Sequence, residues 1–186
     1  DDCSNDGTRE ILKDKIKDKV SKIIFNETNF GKGYSLKKGI DIANGEIILI
    51  QDADLEYNPE NYYDLIEPIL KKKTKVVYGS RVLGEGQRTR PSTIDFKIRY
   101  LANIFLTNLS NFMNKQNLTD AHTCYKVFSA EVVKNIELVE NGFCFCPEIT
   151  AKISKKNETI LEVPIDYFGR THKDGKKIKF SDGFRA

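Results

Sequence analysis

The sequence predicts an α/β protein whose mostly parallel central sheet is flanked by helices. Helical and strand-like patterns alternate through residues 8–79. The strands read as continuous apolar runs, the mark of strands covered on both faces. With 186 residues, 39% hydrophobic and 31% charged, the chain can bury one sizeable core, and wholesale disorder is excluded.

Each element has its own signal. Residues 8–19 form a charged helix with Ile11, Leu12 and Ile16 as its apolar positions. Residues 20–25 are a short apolar strand. Residues 32–43 read as a helix, with Asn44-Gly45 as its stop. Residues 46–51 are the most apolar strand. Asn58 caps the next helix, Pro59 takes its first position, and it runs to residue 72 with a kink expected at Pro68. Residues 75–79 are another buried-type strand. Residues 84–92 are polar and contain glycine, which predicts a loop. Residues 93–113 form a long helix with apolar residues at Ile94, Ile98, Leu101, Phe105, Leu109 and Phe112. Then come a strand at 124–128, a short helix at 130–136, a helix at 147–155, a strand at 159–167 and a basic, glycine-containing loop at 169–179. No repeat and no linker interrupts this order, so residues 1–186 read as a single domain.

Lys plus Arg number 30 against 27 for Asp plus Glu, a net charge of +3 that is too small to point to nucleic acid. No apolar run approaches the ~20 residues of a membrane-crossing helix. Cys3, Cys124, Cys144 and Cys146 show no metal-type spacing and read as reduced thiols of a cytoplasmic protein. The four Asn-x-Ser/Thr sequons, at Asn26, Asn108, Asn117 and Asn157, are what an Asn-rich chain gives by chance. The chain opens on Asp1-Asp2-Cys3, with no Met and no signal-like segment, in the middle of a polar motif.

Two acidic motifs carry the chemistry. Gln51-Asp52-Ala53-Asp54 ends the most apolar strand. Alternate strand residues face the same way, about 7 Å apart. Asp52 and Asp54 are therefore expected to project together from the carboxyl edge of the sheet, where open α/β sheets bind ligands. Such a pair of hard oxygen donors favours Mg²⁺ or Mn²⁺, above all one shared with a diphosphate. Asp1 and Asp2 open the stretch DDCSNDGT; two leading carboxylates exceed what helix capping needs, and they could accept hydrogen bonds from a ribose or a base.

With these motifs in order, and with Gly31-Lys32-Gly33 and Tyr78-Gly79-Ser80-Arg81 between and after them, the sequence resembles the inverting family-two glycosyltransferases with the GT-A fold. Within that family it is most similar to the dolichyl-phosphate mannose synthase and polyprenyl-phosphate glycosyltransferase branch. The matching segments also include LTDAHTCYKVF, FCFCPEITAKI and EVPIDYFGRTHKDGKKI. The resemblance implies a catalytic domain without its first strand-helix unit and its C-terminal tail. It also implies a role for each matching residue. Asp1 and Asp2 would hold the base and ribose, and Lys32 would join the donor-binding set. Asp52 and Asp54 would bind the metal and the sugar diphosphate, with Glu56 as a further metal ligand, at a place where relatives often carry Gln. Arg81 would face phosphate, and Asp120 would act as catalytic base or orient the acceptor. Glu148 would lie near the sugar, while Arg170 and Lys176 would belong to a basic loop closing over phosphates. The donor would be of the GDP-mannose or UDP-glucose type.

The acceptor divides the readings. A hydroxyl acceptor needs Asp120 as a base. A lipid phosphate, with a second pKa near ~6, is largely dianionic and needs cations instead. Arg88, Arg90, Arg99, Arg170, Lys173, Lys176 and Lys177 suit a polyprenyl phosphate. In that case the protein would be cytoplasmic and peripheral at the cytoplasmic face of a membrane. Transfer to a saccharide hydroxyl, a nucleotidyltransferase and a non-catalytic nucleotide-sugar-binding module are the alternatives. His122 and His172 do not suggest a pair, and the lysine runs at 13–19 and 71–75 read as solvated helix faces. The long helix at 93–113 has two readings, a core stripe or an interfacial helix on a bilayer.

Overall fold

The computed structural model describes residues 1–84 and 94–170. Arg88, Arg90, His172, Lys173, Lys176 and Lys177, and most of the two glycine-containing loops, lie outside the described residues.

Six α-helices and four strands are assigned among the described residues, in the order α1 (Thr8–Ile11), α2 (Lys32–Ile42), β1 (Ile47–Leu49), α3 (Tyr62–Leu70), β2 (Val76–Ser80), α4 (Ile94–Asn114), β3 (Lys126–Ser129), α5 (Ala130–Lys134), α6 (Phe145–Lys155) and β4 (Ile160–Pro164). The sheet order is β1-β3-β2-β4. β2 and β4 are parallel, while β3 runs antiparallel to both β1 and β2. Three strands thus share one direction, as expected, and one opposes them. Apolar patterning specifies burial but not strand direction, which is why β3 was not distinguishable. All five residues of β2 are buried, as a central strand covered by helices requires.

Three local expectations change. Residues 8–19 keep α-helical bonding only through Ile11 and continue as a wide turn, Leu12–Ile16, and a tight turn, Lys17–Lys19. No residue of this stretch is buried, so little packing enforces a regular helix. The 20–25 strand is not assigned as one. Its pairing is with Asp1, whose backbone nitrogen donates to Ile24 O at 2.8 Å and whose carbonyl accepts Asn26 N at 2.9 Å. One residue bracketed in this way has the bonding of a parallel strand pair. α2 ends at Ile42 with Ala43 extended, at φ −64° and ψ 132°, and no left-handed glycine closes it. Asn58 does cap as expected, its Oδ1 accepting Glu60 N at 3.1 Å, although Pro59–Asn61 is a 3₁₀ turn before α3 begins.

α4 is inverted relative to a core helix. Asn103, Thr107 and Ser110 are buried, while Ile98, Leu101, Phe105, Leu109 and Phe112 are exposed. The core reading of its apolar stripe is overturned.

Candidate active site

β1 ends at Leu49, and Ile50 extends its pairing by donating to Lys126 O at 3.0 Å. Residues 51–55 then leave the sheet in a turn, with Leu55 at φ 59°. Asp52 and Asp54 stand at this carboxyl edge. They are not successive outward positions of a strand, because no ladder continues that far. Each faces its own cation. Lys32 Nζ lies 2.7 Å from the Asp52 carboxylate. Arg170 Nη2 lies 3.3 Å from Asp54 Oδ2. Asp54 Oδ1 also accepts Glu56 N at 3.2 Å, which fixes the turn. Burial works against the Lys32 charge, but the Asp52 carboxylate outweighs it and holds the ammonium above its ordinary pKa.

Glu56 is buried and faces inward. It accepts the Tyr167 hydroxyl at 2.7 Å and Arg170 N at 2.9 Å, with Arg170 Nε at 3.4 Å. Among the described residues no group of three His, Cys, Asp or Glu side chains gathers to hold a metal ion. Asp52 and Asp54, part-exposed at 30% and 28% of their side chains, nevertheless fit a divalent cation of the magnesium type. Such ions take one or two carboxylates and fill their remaining positions with substrate phosphates and water. A cleft of about 460 Å³ opens beside this pair, lined mainly by Ala53, Leu55, Tyr57, Tyr62 and Phe168.

The N-terminus of α2, which places Lys32, is held from the other side. Gly31, at φ 101°, and Gly33 press against the backbone of residues 140–142. Tyr34 N donates to Asn141 O at 3.1 Å, and Lys37 Nζ to Asn141 Oδ1 at 2.7 Å. Glu148, expected near the sugar, organises this loop. Its two oxygens accept Val139 N at 2.7 Å and Glu140 N at 3.0 Å, and Lys152 Nζ approaches to 2.7 Å. Burial opposes its charge, yet these donors keep its pKa below the ordinary glutamate value. A Cβ at Gly31 would lie 2.5 Å from Asn141 O. Gly31→Ala is therefore expected to cost about 1–3 kcal/mol through overpacking and a strained φ. Urea unfolding measures it, and an unchanged midpoint would show that the loop does not press on α2.

Asp1 and Asp2 are engaged within the chain. The Asp1 carboxylate, 1% exposed, accepts Arg9 Nε at 2.6 Å and Ser4 N at 3.2 Å. Asp2 accepts Asn26 Nδ2 at 2.9 Å, Phe30 N at 3.0 Å and Gly31 N at 2.7 Å. Partial burial raises the Asp2 pKa, and the bonds from Phe30, Asn26 and Gly31 lower it further than burial raises it. Asp2 thereby ties the first acidic motif to the turn that opens α2.

Arg81 and Asp120 form a buried pair. Nε donates to Asp120 Oδ2 at 2.6 Å and Nη2 to Oδ1 at 2.8 Å, and Arg81 N reaches Oδ2 at 3.2 Å. Asn103 Nδ2 adds a donor to Oδ1 at 3.2 Å. Asp120 is 0% exposed and Arg81 9%. The Arg81 guanidinium, expected to face phosphate, is thus committed to Asp120. Asp120, expected as a base, has both oxygens accepting. Burial opposes the Arg81 charge, and Asp120 more than restores it. The guanidinium also lies 5.2 Å from the Tyr167 ring centroid. Tyr167 in turn bonds Glu56, so the buried pair connects through Tyr167, Glu56 and Arg170 to Asp54 at the edge.

The sequence reading did not single out Lys126, Glu162, Asn103 or Tyr167. Lys126 is buried, donates to Ala121 O at 2.9 Å and Thr123 O at 2.7 Å, and stands 4.2 Å from the Tyr78 ring centroid. Burial lowers its pKa. These bonds fix the loop that follows Asp120. Glu162 on β4 accepts Thr119 N at 2.7 Å and Asp120 N at 2.9 Å. Both residues are lone charges inside apolar strands, a signal legible in YKVF and ILEVP. The four cysteines form no disulfide, and burial raises the Cys124 thiol to about 12.

Residues 1–137 match the family model described as glycosyl transferase family 2. The chain belongs to that family. Among similar proteins, the low-salt glycan biosynthesis hexosyltransferase Agl6 of Haloferax volcanii is 26% identical over 99% of this chain and 42% of its own length. The dolichyl-phosphate beta-glucosyltransferase of Dictyostelium discoideum is 28% identical over 96% of this chain and 55% of its own. This family-two chain spans about half the length of such relatives. Its fold is that of the GT-A glycosyltransferases. It superposes on glucosyl-3-phosphoglycerate synthase of Mycobacterium tuberculosis, solved with Mn²⁺ and UDP-glucose, with a TM-score of 0.63 at 15% identity, covering 94% of this chain and 60% of that one.

Proposed function

We propose that this chain is the catalytic part of an inverting, metal-dependent hexosyltransferase. It moves a hexose from a nucleotide-diphosphate sugar to a polyprenyl phosphate. The observation that carries this reading is the pair Asp52 and Asp54 at the carboxyl edge of β1 in a family-two chain, each carboxylate facing a cation. Asp54, with Asp52, would hold Mg²⁺ or Mn²⁺, which supplies Lewis-acid neutralisation of the departing diphosphate. In the reaction the bond from the sugar C1 to the diphosphate oxygen breaks, and its electron pair leaves with the nucleoside diphosphate. A bond from C1 to the acceptor oxygen forms on the opposite face. The transition state is oxocarbenium-like, as in glycoside hydrolysis.

The protein's own groups bind and orient. Lys32 positions Asp52, and Glu148 holds the loop that supports Lys32. Arg170, between Asp54 and Glu56, is among the described residues the cation best placed to turn toward a phosphate. Asp120 is bound in two-point fashion by Arg81, so its role is to fix that arginine rather than to take up a proton. This favours an acceptor that is already an anion over a saccharide hydroxyl. The names of the dolichyl-phosphate relatives favour the same acceptor, and a glucose nucleotide as donor.

Turnover of UDP-glucose and GDP-mannose, each with polyprenyl phosphate and Mn²⁺, tests the reading on the full natural protein. The expected product is a polyprenyl-phosphate-linked hexose. Transfer only to a soluble saccharide would replace it with the hydroxyl-acceptor reading. Nucleotide-sugar binding without transfer to any acceptor would leave a binding module.

A further inference from the structure

We infer that the outer face of α4 is a docking surface for an anionic membrane interface. The face is strongly apolar. Leu101 is 63% exposed, Phe105 67%, Phe112 85% and Met113 72%, with Ile98 and Leu109 completing the stripe. Their spacing of three and four residues puts them along one side of the helix, over about 20 Å. Soluble monomers rarely expose contiguous apolar patches of this kind without a partner.

The orientation is built in. The opposite face is polar and satisfied inside the protein. Asn103 donates to Asp120, Thr107 Oγ1 accepts Ala121 N at 3.3 Å, and Ser110 Oγ accepts Asn114 Nδ2 at 3.2 Å. Turning the helix to bury its phenylalanines would break the bond to the Asp120–Arg81 pair. The apolar face is therefore held outward by the same cluster that anchors the site.

Charge selects the occupant. From the start of α4 to residue 119 the chain has one acidic residue, Asp95 at the first turn, against Lys97, Arg99 and Lys115. Lys97 and Lys115 are exposed near the two ends of the stripe. An apolar stripe bounded by cations is the pattern of a helix lying in a bilayer interface, its side chains among the acyl boundary and its lysines at anionic headgroups. A second copy meeting this face would set basic ends against basic ends. No helix among the described residues is long and apolar enough to cross a membrane. The inference deepens the lipid-acceptor reading, because the helix that meets the bilayer is bonded to Asp120.

Flotation of the 186-residue chain with vesicles tests it without any substrate. Binding is expected to phosphatidylglycerol-containing vesicles and to be much weaker on pure phosphatidylcholine. F105S/F112S is expected to lower partitioning at least about tenfold, and K97E/K115E to abolish the preference for phosphatidylglycerol. Thermal melting of both variants should match the parent, which separates lost docking from lost folding. Equal partitioning of parent and F105S/F112S, or no binding at all, would overturn the inference. So would a dimer seen by sedimentation that F105S/F112S dissolves. Vesicle binding without transfer to polyprenyl phosphate would instead overturn the acceptor reading and leave the docking surface standing.

Discussion

Arg81→Leu is expected to destabilise the fold by about 3–5 kcal/mol, the cost of removing one partner of a buried ion pair. Asp120 is 0% exposed and receives both Nε and Nη2 of Arg81. After the substitution its carboxylate keeps the donors Arg81 N, through the backbone of the new residue, and Asn103. Both are neutral donors, so neither replaces the charge of the lost guanidinium. In a chain of this size the loss corresponds to a melting temperature lower by about 6–20 °C. Asp120→Leu should do comparable damage by stranding the guanidinium. The double substitution Arg81→Leu with Asp120→Leu should recover much of the loss, since an apolar pair carries no desolvation penalty. A thermodynamic cycle of the four proteins isolates the coupling. Single-variant losses below about 1 kcal/mol would mean that the pair is solvated and weak, as surface pairs are. The same cycle bears on chemistry. If Asp120 were a proton-accepting base, Asp120→Asn would lower transfer far more than its loss of stability accounts for, and the pH profile of the residual activity would lose its acidic limb. A positioning role predicts that transfer falls only in proportion to stability, with an unchanged pH profile.

Much of the frame was legible in the sequence, and its limits are physical. Residues 75–79 and 159–167 announce β2 and β4 because burial on both faces demands apolar side chains at every position. Asn58-Pro59 announces the start of a helix because capping and fixed φ are local properties. The direction of β3 was not legible, because pairing partners distant in sequence decide it. α4 misled for a related reason. Its apolar stripe states that one face avoids water but not what covers that face. The buried polar residues Asn103 and Thr107 settle it only once Asp120 and Ala121 are seen against them. At the site, residue types were informative and partnerships were not. Asp52 and Asp54 pointed to a cation-binding edge. That Lys32 and Arg170 occupy that edge depends on contacts across 20 residues in one case and across most of the sheet in the other. Glu148 shows the same limit: a carboxylate in the first turn of α6 is equally suited to a substrate or to the backbone of a neighbouring loop, and here it holds the loop.

Asp54→Asn is expected to lower hexose transfer by about a hundredfold or more, since a divalent cation contributes several kcal/mol to stabilising a departing diphosphate. Its partner Arg170 makes a second, opposite-signed expectation possible. The guanidinium stands 3.3 Å from Asp54 Oδ2 and also engages Glu56. Any cation that binds Asp54 must compete with it. Arg170→Ala should therefore strengthen Mn²⁺ binding measured without nucleotide, seen as a larger rise in melting temperature at a fixed Mn²⁺ concentration. The same variant should weaken binding of the nucleotide sugar, because it removes a phosphate-seeking cation that stands beside Asp54. Asp54→Asn should erase the Mn²⁺-dependent rise altogether. An unchanged rise in Asp54→Asn would remove Asp54 from the metal site. Weaker Mn²⁺ binding in Arg170→Ala would show that the arginine supports the acidic edge rather than competing for it. Opposite effects on the two ligands from one arginine, with the metal effect lost in Asp54→Asn, are the expected signature of a carboxylate exchanged between arginine and metal.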